Sequence, residues 1–175
     1  MSIRPVLLVL SAILVLAASC SSYSLVRYDG GLGDVRSVAI VTPHNDSYEP
    51  GIEYVVADAL RREFLRRRGV KLVQNQDAAD LVIQGRVLSI RSRARSFSSV
   101  IQALEYEITL NVELLAKLSD GTEISIDARA TRETERYLAS ADVEVQRKNR
   151  QEALREVSRL VAGRVYDALY ESLVR

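Results

Sequence analysis

From Leu104 to Leu118 the chain alternates strictly: Tyr106, Ile108, Leu110, Val112, Leu114, Ala116 and Leu118 fall on one side of an extended backbone. A period of two over this length dictates a strand buried on one face only. Ser119-Asp120-Gly121 follows as a three-residue hairpin loop with Gly at the left-handed position. Thr122 to about Arg136 then returns with Ile124, Ile126, Ala128 and Ala130 on one face. Pairing Leu118 with Thr122 sets Ala116 opposite Ile124, Leu114 opposite Ile126 and Lys117 opposite Glu123. Both apolar faces then coincide. A hairpin that is apolar on one side must be covered on that side.

Two segments can cover it. From Ile52 to Arg68 the positions Ile52, Val55, Val56, Ala59, Leu60 and Leu65 recur at helical spacing, joined by Phe64. Glu53 lies in the first turn, five of the last eight residues are Arg, and Gly69 follows, so the charges suit the helix dipole. Arg150 to Glu171 carries Leu154, Val157, Leu160, Val161, Val165, Ala168 and Leu169 on one side, after a polar stretch from Ser140 to Asn149. Val35 to Thr42, closed by Pro43, and Val70 to Val73 read as strands, and Leu81 to about Phe97 as a long one. The expected fold is α+β: a two-layer sandwich, a mixed sheet of about four to five strands with two helices packed on one face, in one domain over residues 35–175.

The odd positions of the long strand run Leu81, Ile83, Gly85, Val87, Ser89, then Arg91, Arg93 and Arg95. Alternate residues lie about 6.6 Å apart along a strand, so the three arginines can meet neighbouring anionic groups. Extending the hairpin register places Arg132 and Arg136 on the same face at the same end, with Tyr106 among them. The expected result is a basic patch beyond the edge of the helix layer. It reads either as a solvated strand end that resists edge-to-edge pairing or as a contact surface for phosphate, which Arg suits best. Arg61, Arg62, Arg66, Arg67 and Arg68 read as a solvated helix face, and Arg147, Lys148 and Arg150 open the last helix at the end the dipole disfavours.

The rarest residues exclude most other chemistry. One Cys forbids an intrachain disulfide, and one His with one Cys rules out most zinc sites. No metal or cofactor is assigned. His44, the only imidazole, sits in a loop beside Pro43, and no Gly-x-Ser-x-Gly elbow is present, so no catalytic residue is assigned. Glu105/Glu107 and Glu133/Glu135 read as the solvated or partner-facing side of a sheet. The formal net charge of +1 argues against nucleic acid as a partner.

The N-terminus reads as an address. Arg4 is the only charge before Arg27, and Val6 to Ala18 is apolar apart from Ser11. About thirteen residues are too few to span a bilayer as a helix. The positive start, short apolar core and small residues Ala17, Ala18 and Ser19 form a secretory signal peptide over residues 1–19. With Cys20 next, the stretch resembles the lipobox of bacterial lipoproteins, in which that Cys is lipidated and becomes the first residue. Several acyl chains hold firmly where one binds marginally. Residues 20–34 would then be a lipidated tether. Ser21 is not Asp, and in enterobacterial lipoproteins Asp there signals inner-membrane retention, so the resemblance points to the outer membrane. Cleavage takes away one of the 24 Lys+Arg and leaves 23 against 23 Asp+Glu.

The order of elements behind a lipobox resembles the LPS-assembly lipoprotein LptE family. Cys20-Ser21-Ser22-Tyr23-Ser24-Leu25 is similar to the family's opening, with Ser22 where Gly is usual. Val38-Ala39-Ile40-Val41-Thr42-Pro43, the stretch from Asn45 to Glu53, the stretch from Asp77 to Gly85, and Glu105-Tyr106-Glu107-Ile108 also fit. The resemblance implies a non-enzymatic role on the periplasmic side of the outer membrane, as a plug inside an LptD-like β-barrel. It implies support of barrel assembly and direct binding of lipopolysaccharide for insertion into the outer leaflet. Arg91, Arg93, Arg95, Arg132 and Arg136 then become candidates for its phosphates, or for acidic loops of the barrel. The family implicates a basic residue in the loop before the Glu-Tyr strand. This chain has Ser98, Ser99, Val100, Ile101 and Gln102 there, so Arg93 or Arg95 would substitute. The rival reading is a scaffold lipoprotein of another cell-envelope or secretion complex.

Overall fold

The computed structural model describes residues 31–97 and 103–174. The leader, Cys20, the tether as far as Gly30 and the loop residues 98–102 lie outside the described residues. Seven strands form one mixed sheet: β1 (Ser37–Ile40), β2 (His44–Asn45), β3 (Lys71–Leu72), β4 (Leu81–Phe97), β5 (Ala103–Leu118), β6 (Glu123–Ser125) and β7 (Arg132–Leu138). Two helices complete the chain, α1 (Ile52–Arg67) and α2 (Val143–Val174). The sheet order is β3-β1-β4-β5-β6; β2 also pairs with β4, and β7 with β5. β1 is parallel to β3 and β4, whereas β4, β5, β6 and β7 are antiparallel neighbours. The fold is thus α+β, with a curled sheet of five ribbons under two helices.

The core lies between the helices and one sheet face. Val38 and Ile40 of β1, Leu81, Ile83 and Val87 of β4, and Ile108 through Ala116 at even positions of β5 are buried there. They meet Val56, Leu60 and Phe64 of α1 and Val157, Val161, Val165 and Leu169 of α2. Leu32 and Val35, ahead of β1, belong to the same core. The hairpin turn has the expected form: Gly121 takes φ 89°, its N–H donates to the Leu118 carbonyl at 2.9 Å, and Ala116 faces Ile124.

The sheet departs from uniform alternation in two places that matter for function. In β4 the register shifts between Val87, opposite Val112, and Ser89, opposite Asn111, so Leu88 is an extra residue. Such a bulge moves every later side chain to the other face. On the far side of β5 the return strand is not continuous to Arg136. Ile126 still donates to Leu114, but the next contact is Val112 to the Thr131 carbonyl. Asp127 through Ala130 form a turn closed by Ala130 N–H to the Asp127 carbonyl and Arg129 N–H to Asp127 Oδ1. The register therefore slips by an odd number of residues, and β7 also presents the opposite parity from the one expected.

The second helix also starts earlier than its apolar stripe, at Val143 instead of Arg150. Asp142 Oδ1 accepts the N–H groups of Glu144 (2.8 Å) and Val145 (3.1 Å), an N-cap that compensates for two turns without buried apolar residues. Arg147 pairs with Glu144 and Arg150 with Glu49, so two of the three cations at this basic start are paired locally.

Two carboxylates tie neighbouring elements together, one within the helix layer and one within the sheet. Glu63, 5% exposed, accepts from Arg66 and Arg67 of its own helix, and Arg67 reaches Asp167 of α2 at 2.8 Å. Burial pushes the Glu63 carboxyl up, but the hydrogen bonds and charges of the two arginines more than offset it and hold the group below its ordinary value of 4.5. Asp80 accepts from Arg36 N, Ser37 N and Ser37 Oγ at 2.8–2.9 Å, fastening β1 to the start of β4. The Arg36 N–H and then the Ser37 donors hold it below its ordinary value of 3.8. A depressed carboxyl stabilises the fold fully above its unfolded-state pKa and ceases to as pH falls through the folded one. Stability is therefore expected to be level above about pH 5 and to decline progressively below about 4.5. Urea melts across pH 3–7 test this; a midpoint that rises on acidification would refute it.

Candidate functional site

The candidate site is the open face of the distal β4–β5–β7 segment. Cross-strand pairing sets three rows across it: Ser89, Asn111 and Arg132; Arg91, Thr109 and Thr134; Arg93, Glu107 and Arg136. Directly opposed side chains have Cβ atoms about 5 Å apart, and adjacent rows are about 6.6 Å apart. Arg91, Arg93, Arg132 and Arg136 are all exposed, and none forms an ion pair with a described residue. Thr109 and Thr134 hydrogen-bond each other at 3.0 Å in the middle row. A second shift of register between Ala94 and Ser96 sets Arg95 apart, and its Nε contacts Glu107 Oε2 at 3.4 Å.

This differs from the sequence expectation in one respect. The arginines of β4 and β7 do converge, but on the face away from the helices, and Tyr106 is not among them. Tyr106 lies on the helix side, stacked on Tyr137 with centroids 5.4 Å apart and rings 16° from parallel. Glu133 of β7 turns to that side too and pairs with Arg164 of α2. The two odd register changes, one on each flank of β5, moved both arginine sets together. A signal existed: apolar parity passes from odd to even at Leu88 and Ile90, and Ile126 is followed by Tyr137 at odd parity. Glu107, expected as a sheet-surface carboxylate, sits between Arg93 and Arg136 in the outermost of the three rows.

Several other charges among the described residues are paired. On the same face nearer the hairpin turn, Arg86 binds Glu113 at 3.0 Å. Its guanidinium titrates above the usual range because Glu113 accepts from it and attracts it, with Asp46 adding to the attraction. His44 is opposite Arg86 in β2 and contacts Asp46 at 3.2 Å. In α1, Arg61 donates to the Ile40 carbonyl and Arg62 pairs with Asp58. Arg36, Arg68, Lys71, Lys117, Arg129 and Lys148 also lack an ion pair among the described residues; what sets the distal sheet apart is that four such arginines share one face.

Fold and face together define a two-layer α+β protein whose uncovered sheet surface is basic at one end. A solution structure of an uncharacterized lipoprotein B from Nitrosomonas europaea superposes with a TM-score of 0.53 at 15% identity, covering 87% of this chain and 91% of that one. The rare lipoprotein B from Shewanella oneidensis superposes with a TM-score of 0.50 at 15% identity, covering 79% of this chain and 97% of the other. At such identities the likeness is one of fold. No curated protein matches the chain. The family model for LptE, lipopolysaccharide-assembly, matches residues 35–169. The chain belongs to the LptE family and is a lipopolysaccharide-assembly protein of the cell envelope.

Proposed function

We propose that this protein is an outer-membrane lipoprotein subunit of the lipopolysaccharide translocon, anchored through acyl chains on Cys20. In this reading it plugs and supports an LptD-like β-barrel from the periplasmic side, binds lipopolysaccharide on its open sheet face, and works by contact instead of catalysis. The observation that carries the ligand reading is the convergence of Arg91, Arg93, Arg132 and Arg136, exposed and without ion pairs among the described residues. Guanidinium groups at this spacing match clustered phosphates, with charge-assisted and bidentate hydrogen bonds. The anchored end suits the role. Gly33 lies against the Leu173 carbonyl near the end of α2, and Leu32, Asp34 and Val35 line one cleft with Asp80, so the chain enters beside the start of β4. Arg91 is ten residues further along that strand, about 33 Å away.

Changing Arg91, Arg93 and Arg95 together to Glu is expected to weaken binding of lipopolysaccharide by about tenfold or more at low salt. The loss should shrink toward 0.5 M salt, where exposed charges are screened within a few ångströms. Unchanged binding by a folded triple variant would remove the patch from the function. Mass spectrometry of the envelope form tests the anchor: acyl chains on Cys20 are expected, and an intact leader would refute it. Pull-down from detergent extracts should recover a large β-barrel. A soluble or inner-membrane partner in its place would favour the scaffold of another envelope complex.

A further inference from the structure

Glu107 is the acidic member of the distal basic rows, and its position is not explained by the core. It lies on the open face, between Arg93 on β4 and Arg136 on β7, with Arg95 in contact at 3.4 Å. Its side chain is 22% exposed, against 44% for Arg95, so the carboxylate is partly sheltered among the cations. Arg91, in the next row, and Arg132, in the row beyond it, face Thr109 and Asn111, which bring no charge. With a neutral residue in place of Glu107, the row would hold one arginine on each side of it, Arg93 and Arg136, with Arg95 close by. Like charges on neighbouring strand positions are destabilising.

Resting on the ligand reading above, we infer that Glu107 is an internal competitor for the anion: its carboxylate, in contact with Arg95 and opposite Arg93 and Arg136, competes for their guanidinium groups until phosphate replaces it. A carboxylate and a phosphate use the same guanidinium donors. One carboxylate carries a single charge, whereas a phosphate monoester carries up to two near neutral pH. Displacement therefore favours multiply charged phosphates over single carboxylates. Glu107 thus acts as a specificity-determining residue, and it keeps the empty face from attracting weak anions. Its exchange with the ligand is a local rearrangement of side chains and asks nothing of the backbone.

The test uses the full chain in detergent, with lipopolysaccharide and a dephosphorylated preparation of it as probes. Glu107→Gln keeps the shape and removes the charge. It is expected to bind the phosphorylated probe about three- to fivefold more tightly, the size set by an exposed ion pair. It should show no gain on the dephosphorylated probe. Glu107→Asp, which restores the charge, should stay close to the unsubstituted protein. Glu113→Gln removes a carboxylate from the same face, about 20 Å away along β5, and should bring no gain. Equal or weaker binding by folded Glu107→Gln overturns the inference, as does an equal gain from Glu113→Gln, which would make the effect one of overall charge. The Arg91/Arg93/Arg95 triple variant, run alongside, separates the two levels. If it binds like the unsubstituted protein, the ligand reading itself fails; if it binds weakly while Glu107→Gln is inert, only the competitor role fails.

Discussion

Gly85→Ala is expected to destabilise the protein by about 3 kcal/mol or more, the upper range for overpacking. Gly85 sits in β4 opposite Leu114, in the longest strand pair of the sheet. A Cβ built on it would lie 1.9 Å from the Glu113 carbonyl oxygen and 2.9 Å from the Glu113 carbonyl carbon. Both are backbone atoms of β5, so no side chain can rotate away, and relief requires the two strands to separate. The same strand pair carries Arg91 and Arg93 on one side and Val87 on the other, so separation would disturb the core and the basic face together. Urea unfolding of Gly85→Ala reads the effect directly; a loss below about 1 kcal/mol would show that the strands are not held at this approach.

Tyr166→Ala should be comparably severe, about 3–5 kcal/mol, lowering Tm by about 10 °C for a domain of this size. Tyr166 is fully buried at the junction of the two helices. Its ring meets Phe64 of α1 edge-on, with centroids 5.1 Å apart and planes at 73°. The Arg67 guanidinium lies 5.0 Å from the ring centroid and continues to Glu63 and Asp167. Truncation would remove the aromatic contact, the cation–π contact and the wall that positions Arg67, and would leave a cavity that rigid neighbours fill only in part. Tyr166→Phe keeps the ring and should retain most of the stability. Calorimetry of both variants checks this; a Tyr166→Ala protein that melts within 3 °C of the unsubstituted one would show that the helices do not depend on this side chain.

Local chemistry made much of the fold legible. The Ser119-Asp120-Gly121 turn sets the hairpin register for the residues nearest it, because the turn geometry and the apolar alternation agree there. The first helix follows from its periodicity and its terminal charges. The second helix is legible only from Arg150 onward; its first two turns depend on the Asp142 cap and bury no apolar face, so periodicity carries no signal for them. The five arginines could be picked out as a group, but not the face they occupy. That depended on Leu88 and on the Asp127–Ala130 turn, each of which adds residues to one strand without adding any to its partner.

The amino-acid sequence by itself determined where the first helix, the apolar stripe of the second and the long hairpin would lie, that one sheet face would need covering, and that a cluster of arginines would end that hairpin. Only the tertiary structure decided that these cations face away from the helices and that Glu107 lies between two of them. Strand parity is a running count: one unpaired residue reverses every side chain beyond it, and whether a residue is unpaired depends on the neighbouring strand, which the local sequence does not contain.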